Sequence, residues 1–327
     1  MSNTDKESPM SKLIRALTTL IAGCLWCQVS HAENYGEKLE FASEWRGKQE
    51  TVFGYLSLPQ GADKPVPAMV LVHGSGGIGA REARYVAEFN KLGIATFTLD
   101  SFAPRGVSST VEDQSRVSGA NMVSDAFGAL KLLSDNPKID KTRIGVLGAS
   151  KGGTVALETA MQQAARVRKL PEDLKFAAHI PMYPGCNTQH RVPTTTGAPV
   201  LVLLGERDNY TGGHNCPQYA EAIKKTGAKI EIIVYPNAEH LFDGKDGQQH
   251  VEVRNAQNFS KCLAYIEEDG KIVYAKTGEV LDTPKKFFEV QVKDCMTKGA
   301  SVATDAAAKK KSLEDIQAFL KDSLLSR

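Results

Sequence analysis

The chain has 327 residues, 42% of them hydrophobic and 24% charged, so it has the composition of a globular protein and the length for one large domain or two small ones. Its 40 Lys and Arg are balanced by 38 Asp and Glu with no basic block, which excludes a nucleic-acid or acidic-surface partner recognised by bulk charge.

At the N-terminus, Lys12 and Arg15 precede a mostly apolar run from Ala16 to Val29, and Ser30-His31-Ala32 puts small residues at the two positions a signal peptidase reads. Residues 1–32 therefore read as a cleaved secretory signal, because a run of about 14 residues falls short of the roughly 20 that a membrane-spanning helix needs. The expected location is secreted or periplasmic, with no stable membrane association. Ile21-Ala22-Gly23-Cys24 in the same segment resembles a lipoprotein processing box, and lipidation at Cys24 is the alternative outcome. Export leaves Cys186, Cys216, Cys262 and Cys295, an even number suited to two disulfides. The sequence-local pairing, Cys186 with Cys216 and Cys262 with Cys295, closes loops of about 30 residues each and is the one expected. Four buried thiols are the rival. Zinc is not expected, since no pair has the close C-x-x-C spacing of a structural site.

EKLEFASEW and TVFGYLSLP, joined by Arg46-Gly47-Lys48, read as a half-buried antiparallel hairpin at a sheet edge. Shorter runs follow: AMVLVHG (68–74), IATFTLD (94–100), RIGVLGAS (143–150), FAAHIPMYP (176–184), PVLVLLGE (199–206) and KIEIIVYP (229–236). Apolar throughout, they suit central strands covered on both faces. Segments 80–92, 117–133, 152–168 and 217–226 between them carry helical spacing, and the alternation specifies right-handed crossovers in a mostly parallel α/β sheet with helices on both faces. Residues 33–327 are expected to form this domain. A C-terminal insertion, roughly 262–296, would hold a hairpin of KIVYA and EVLD about Lys276-Thr277-Gly278, tied by a Cys262–Cys295 bridge. Thr304-Asp305 then caps a final helix.

RIGVLGA runs straight into Ser150, and Gly152-Gly153 begins a helix at once. This strand, sharp turn and helix is the context of a nucleophile elbow, in which glycines keep the strand and helix from colliding. The bland rival makes Ser150 a helix cap. A nucleophilic serine needs a base and an orienting acid, in the chain order Ser, Asp, His on such a sheet. Asp208 follows the strand PVLVLLG, with Glu206 as the rival acid, and His240 follows IEIIVYP. His214 and His250 read as surface residues, and His179 as a buried structural one. The loop His73-Gly74-Ser75-Gly76-Gly77 is placed to present an oxyanion hole, with the amides of Ser75 and Lys151 as donors. It lacks the spacing of a phosphate-cradling loop, and His73 is expected only to shape it. Arg105 lies after the fourth strand and could bind a substrate carboxylate; pairing with a local acid is the rival. No metal or organic cofactor is implied.

LVHGSGG, LDSFAPRG, GASKGG, LLGERD and YPNAEHLFD, in this order across residues 37–245, resemble the α/β-hydrolase fold and, within it, the dienelactone hydrolase family and its secreted relatives. The resemblance implies Ser150, Asp208 and His240 as a catalytic triad and an ester or lactone as a small-molecule substrate. It departs from the family's pattern at Ser150, where typical members carry cysteine, so their substrate does not transfer. S-K-G at residues 150–152 is also similar to acyl-CoA thioesterase relatives, but export argues against a coenzyme A substrate and leaves Lys151 read as solvated. The expectation is a serine hydrolase of carboxylic esters acting through an acyl-enzyme. A peptidase, amidase or lactonase on the same triad is one rival, and a non-catalytic binding protein of the same fold is another.

Overall fold

In the computed structural model, which describes residues 35–326, the apolar runs become one eight-stranded sheet. The leader expected over residues 1–32, and its alternative at Cys24, lie outside the described residues. β1 (Glu37–Trp45) and β2 (Lys48–Ser57) form the edge hairpin, turning through Arg46 and Gly47 at φ 53° and 77°, the left-handed pair that matches strand twist. In chain order come β3 (Val66–Val72), α1 (Ala80–Lys91), β4 (Ala95–Asp100), α2 (Gly119–Ser134), β5 (Ile139–Ala149), α3 (Lys151–Glu158), α4 (Gln162–Arg166), β6 (Ala178–Met182), β7 (Thr188–His190), β8 (Val200–Gly205), α5 (Asn215–Lys224), β9 (Ile230–Tyr235), α6 (Pro284–Asp294) and α7 (Ala306–Leu320). The sheet order is β1-β2-β4-β3-β5-β6-β8-β9. Every pairing from β4 to β9 is parallel, and the two involving β2 are antiparallel.

Alternation along the strands divides the core between the two faces. Val70, Val72, Val146 and Val202 meet Met122, Leu130, Val155 and Ile223 of α2, α3 and α5. Met69, Leu71, Leu147 and Leu203 meet Tyr85, Phe89, Ile316 and Leu320 of α1 and α7. Asp305 accepts from the Ala308 amide at 2.8 Å and starts α7, which covers that second face.

Three elements differ from the sequence reading. β9 is not a central strand: it is the sheet's far edge, with Glu231 exposed and Val234 45% exposed, while Ile230 and Ile232 pack on one face and Ile233 and Tyr235 on the other. The helix expected over 152–168 breaks at Met161, which turns extended to bridge Thr195 while Gln162 donates to the Thr194 carbonyl. Tertiary pairing outweighs helical periodicity there. The 262–296 segment has its turn at Lys276-Thr277-Gly278, with Tyr274 donating to the Glu279 carbonyl at 2.8 Å. Ile272–Tyr274, however, pairs more fully with Ala264–Ile266, which in turn joins β7, and α6 follows with Thr283 as its side-chain cap and Pro284 in its first turn. Cys262 is bonded to Cys295 and Cys186 to Cys216, both at S–S 2.06 Å. No helix among the described residues is long and apolar enough to cross a membrane.

The β5–α3 junction is the tightest crossing. A Cβ on Gly148 would stand 2.0 Å from the Gly152 carbonyl oxygen, one on Gly152 2.1 Å from that of Val72, and one on Gly153 2.3 Å from that of Met182. Each contact is with backbone, which cannot swing aside as a side chain can. Gly148→Ala and Gly152→Ala are therefore expected to cost more than about 2 kcal/mol each. Gly76→Ala, where a Cβ meets nothing within 4 Å, should stay within about 0.5 kcal/mol, all three variants being compared with the wild type by urea titration.

His179 in β6 is fully buried, with Nδ1 3.2 Å from the Ala156 carbonyl oxygen and no partner for Nε2 among the described residues. Burial pulls its pKa down to about 4, with the Ala156 hydrogen bond opposing more weakly. The unfolded chain thus takes up a proton near pH 6.5 that the folded chain refuses until about pH 4, so this residue's stabilisation is full above 6.5 and lost as pH falls through that window. Unfolding titrations of the wild type and His179→Leu should differ in slope between pH 7 and 4. About 3 kcal/mol of the wild type's acid sensitivity should be absent from the variant.

Candidate active site

Four strands deliver their carboxyl ends to one place, the arrangement that puts ligands at the strand ends of open α/β sheets. Ser150 ends β5, Tyr183 ends β6, Asp208 follows β8 and His240 follows β9. Ser150 stands at the cap position of α3, yet its hydroxyl caps nothing. Its backbone sits at φ 57°, ψ −119°, a conformation costly for a residue with a side chain, and Tyr183 (φ 34°) and Leu241 (φ 64°) are left-handed beside it. The strained turn aims Oγ away from the helix, toward His240.

His240 Nε2 lies 2.9 Å from Ser150 Oγ and its Nδ1 2.8 Å from Asp208 Oδ2. Asp208 Oδ1 accepts from the amides of Tyr210 and Thr211 at 2.8 and 3.1 Å, and Oδ2 accepts from Thr211 Oγ1 at 2.7 Å. Burial would raise this carboxyl's pKa, but His240 and the Thr211 hydrogen bonds outweigh it and hold the group below its usual value. An ionised Asp208 can only accept, so Nδ1 carries the imidazole proton and Nε2 offers its lone pair to the serine hydroxyl. Glu206, the rival acid, instead accepts from the Asn237 amide at 2.7 Å.

The imidazole is held between two aromatic edges, Tyr183 at 4.7 Å and Tyr210 at 5.0 Å between ring centroids. Tyr183 donates to Asp243 Oδ1 at 2.5 Å and accepts from Arg81 at 3.2 Å. Asp243, fully buried, also accepts from Tyr85 and Arg84 at 2.9 Å each. Burial and Asp243 push the Tyr85 hydroxyl well above its ordinary pKa, keeping it a donor. This network went unread in the sequence; the available signal was the position of Tyr183 and Asp243 just past strand ends, in FAAHIPMYP and YPNAEHLFD.

The HGSGG loop faces the same point. His73 is buried, with Nδ1 2.8 Å from the Gly74 carbonyl oxygen, and its Nε2 accepts from the Ser101 amide at 3.3 Å, so it shapes the loop as expected. Gln114 ties the two proposed oxyanion donors together: its carboxamide contacts Ser75 Oγ, and its Oε1 accepts from Lys151 Nζ at 3.1 Å. Lys151 is not the solvated side chain expected. Its Nζ also donates to Thr110 Oγ1 and to the Gln114 and Val117 carbonyls, fastening the 110–117 loop, and burial pulls its pKa down to about 7. Arg105 makes the acid pairing weighed as the rival: it is bonded to Glu50 at 2.6 Å, to both oxygens of Asp125 at 2.7 and 3.0 Å, and to the Ser101 carbonyl.

Ser150 opens into a cleft of about 340 Å³. One wall is Trp45, Val123 and Val155 of the sheet and its helices; the other is Ile272, Leu281, Phe287 and Phe288 of the 262–296 insertion, which thus forms a cap over the site. Among the described residues, no cluster of three or more His, Cys, Asp or Glu is placed to hold a metal ion.

A family model described as the dienelactone hydrolase family matches residues 52–269. Among curated proteins, the chain is 24% identical over 151 residues to the uncharacterized peptidase YtmA of Bacillus subtilis (strain 168), a match covering 39% of this chain and 59% of that protein. It is 23% identical over 229 residues to a probable 2-oxo-3-(5-oxofuran-2-ylidene)propanoate lactonase of Bradyrhizobium sp, covering 66% of this chain and 89% of that one. In fold it resembles a crystal structure of a dienelactone hydrolase-like promiscuous phosphotriesterase from metagenomic libraries, with TM-score 0.56 and 14% identity over 88% of this chain and 98% of the other. With the family model spanning most of its sheet and every strand end described above, the chain belongs to the dienelactone hydrolase family of α/β-fold hydrolases.

Proposed function

We propose that the chain is a serine hydrolase of carboxylic esters that works through an acyl-enzyme on Ser150. The observation that carries this reading is the unbroken hydrogen-bond chain from Ser150 Oγ through His240 to a buried, ionised Asp208. His240 Nε2 takes the hydroxyl proton as Oγ attacks the ester carbonyl, and the imidazolium so formed is stabilised by Asp208. The tetrahedral oxyanion is received by the amides of Ser75 and Lys151, at the N-terminus of α3 where partial positive charge favours it. Gln114, bonded to both residues, keeps these two donors in register. His240 then returns the proton to the leaving alkoxide, and water, deprotonated in the same way, releases the acid and restores Ser150.

Lactones are cyclic esters and fall to the same steps, and the name of the Bradyrhizobium relative favours including them. The cap formed by the insertion is small and tied down by Cys262–Cys295, which suits small-molecule esters better than a polypeptide. Two disulfides support export to an oxidising compartment.

Ser150→Ala should lower kcat on short-chain aryl esters by a factor on the order of 10⁴ or more with folding intact. The wild type should be labelled by a fluorophosphonate and the variant not. Turnover retained in Ser150→Ala would refute the mechanism.

A further inference from the structure

Glu158 closes the last turn of α3, eight residues along the helix from Ser150 and so about 12 Å from it. It lines the same cleft. His190 Nε2 lies 3.0 Å from each of its carboxylate oxygens, and His190 Nδ1 lies 2.7 Å from Gln163 Oε1. The Gln163 amide nitrogen is itself committed to the carbonyls of Glu267 and Glu268, at 2.6 and 3.1 Å, so its oxygen must face the histidine. Both ring nitrogens of His190 therefore face acceptors, and the ring is held as an imidazolium paired with an ionised Glu158.

His190 is buried, but the Glu158 side chain keeps 25% of its surface open, and among the described residues only His190 donates to it. A carboxylate has about four lone-pair positions, so it retains acceptor capacity toward the cleft. The pair is neutral overall. The nearby Arg168 guanidinium, stacked 4.3 Å from the Trp45 ring and donating to Ser124 and to the Ala120 and Ala164 carbonyls, adds positive charge. That balance disfavours a cationic ligand and leaves a neutral donor. The cleft that holds both Glu158 and Ser150 is also lined by Phe259, Phe287, Phe288 and Tyr210, which suit a flat ring.

Resting on the ester reading above, we infer that Glu158 is a specificity residue that accepts a hydrogen bond from a hydroxyl at the far end of an aromatic ester substrate. The scissile carbonyl sits at Ser150, the ring lies between the aromatic walls, and the hydroxyl reaches the carboxylate that His190 and Gln163 hold in place.

The test compares two matched pairs on the wild type: methyl 3-(4-hydroxyphenyl)propanoate with methyl 3-phenylpropanoate, and 2-(4-hydroxyphenyl)ethyl acetate with 2-phenylethyl acetate. A hydrogen bond to a charged acceptor should favour the hydroxylated member of one pair by about tenfold to a hundredfold in kcat/KM. Glu158→Leu should bring that ratio to within about twofold of unity, a readout that general damage to the fold would not move. Calorimetric binding of the same four esters to Ser150→Ala separates the subsite from the chemistry. A hydroxyl preference in binding without turnover by the wild type supports the subsite while the esterase reading falls. Equal ratios in the wild type, or a preference that survives Glu158→Leu, overturn the inference.

Discussion

Everything at this site depends on how closely α3 can approach β3, β5 and β6. Gly148, Gly152 and Gly153 bring backbone against backbone at distances no side chain would allow, and that approach forces Ser150 into its left-handed turn. A helix packed farther out would let the serine relax into an ordinary cap, with its hydroxyl on its own amides. The strain is held by the surrounding sheet, whose central strands β3, β6 and β8, and β5 from Ile144 to Ala149, are almost wholly buried from both faces. Rigidity of the core is thus converted into the aim of one hydroxyl.

The electrostatics follow from the same burial. Asp208 is ionised in a nearly dry site because two amides, one hydroxyl and the imidazole donate to it, and its charge then dictates which histidine nitrogen carries the proton. Behind His240, Tyr183 is fixed by Arg81 and by the Arg84–Asp243–Tyr85 cluster, which leaves the ring one lodging. A buried carboxylate is costly unless its oxygens are satisfied, and Asp243 has three donors.

The insertion supplies what the common fold lacks, a wall over the cleft. β7 carries His190 into the small sheet of Ala264–Ile266 and Ile272–Tyr274, so the cap is stitched to the hydrolase domain by backbone pairing, while Cys262–Cys295 ties the two ends of the insertion together and Cys186–Cys216 joins the segment before β7 to α5. Lys151 fastens the opposite rim: its ammonium gathers the Thr110, Gln114 and Val117 oxygens and so joins the loop bearing Gln114 to the start of α3. The same lysine contributes its amide to the proposed oxyanion hole, so rim and chemistry share a residue.

Much of this was legible in the residues alone. Strand runs such as AMVLVHG and PVLVLLG announce themselves because a doubly covered strand must be apolar throughout, and Ser150, Asp208 and His240 fall at strand ends because the topology leaves no other order. The limits of local pattern appear where distant groups compete for the same residue. Periodicity carried a helix through Met161, but a bridge to Thr195 broke it there. Hydrophobicity placed β9 at the centre, although only pairing order makes it an edge. For Arg105 the sequence left open a substrate carboxylate or a local acid, and it is Glu50 and Asp125, 55 residues before and 20 after it, that meet its guanidinium; Lys151 looked solvated until a loop folded over it. Glu158, Gln163 and His190 carry no shared motif and become one group only in three dimensions. The sequence by itself determined the fold and the order of its chemistry, because both follow from periodicity and chain direction. The partners of each charged side chain were decided by the tertiary structure, because a hydrogen bond acts over about 3 Å in space and ignores separation along the chain.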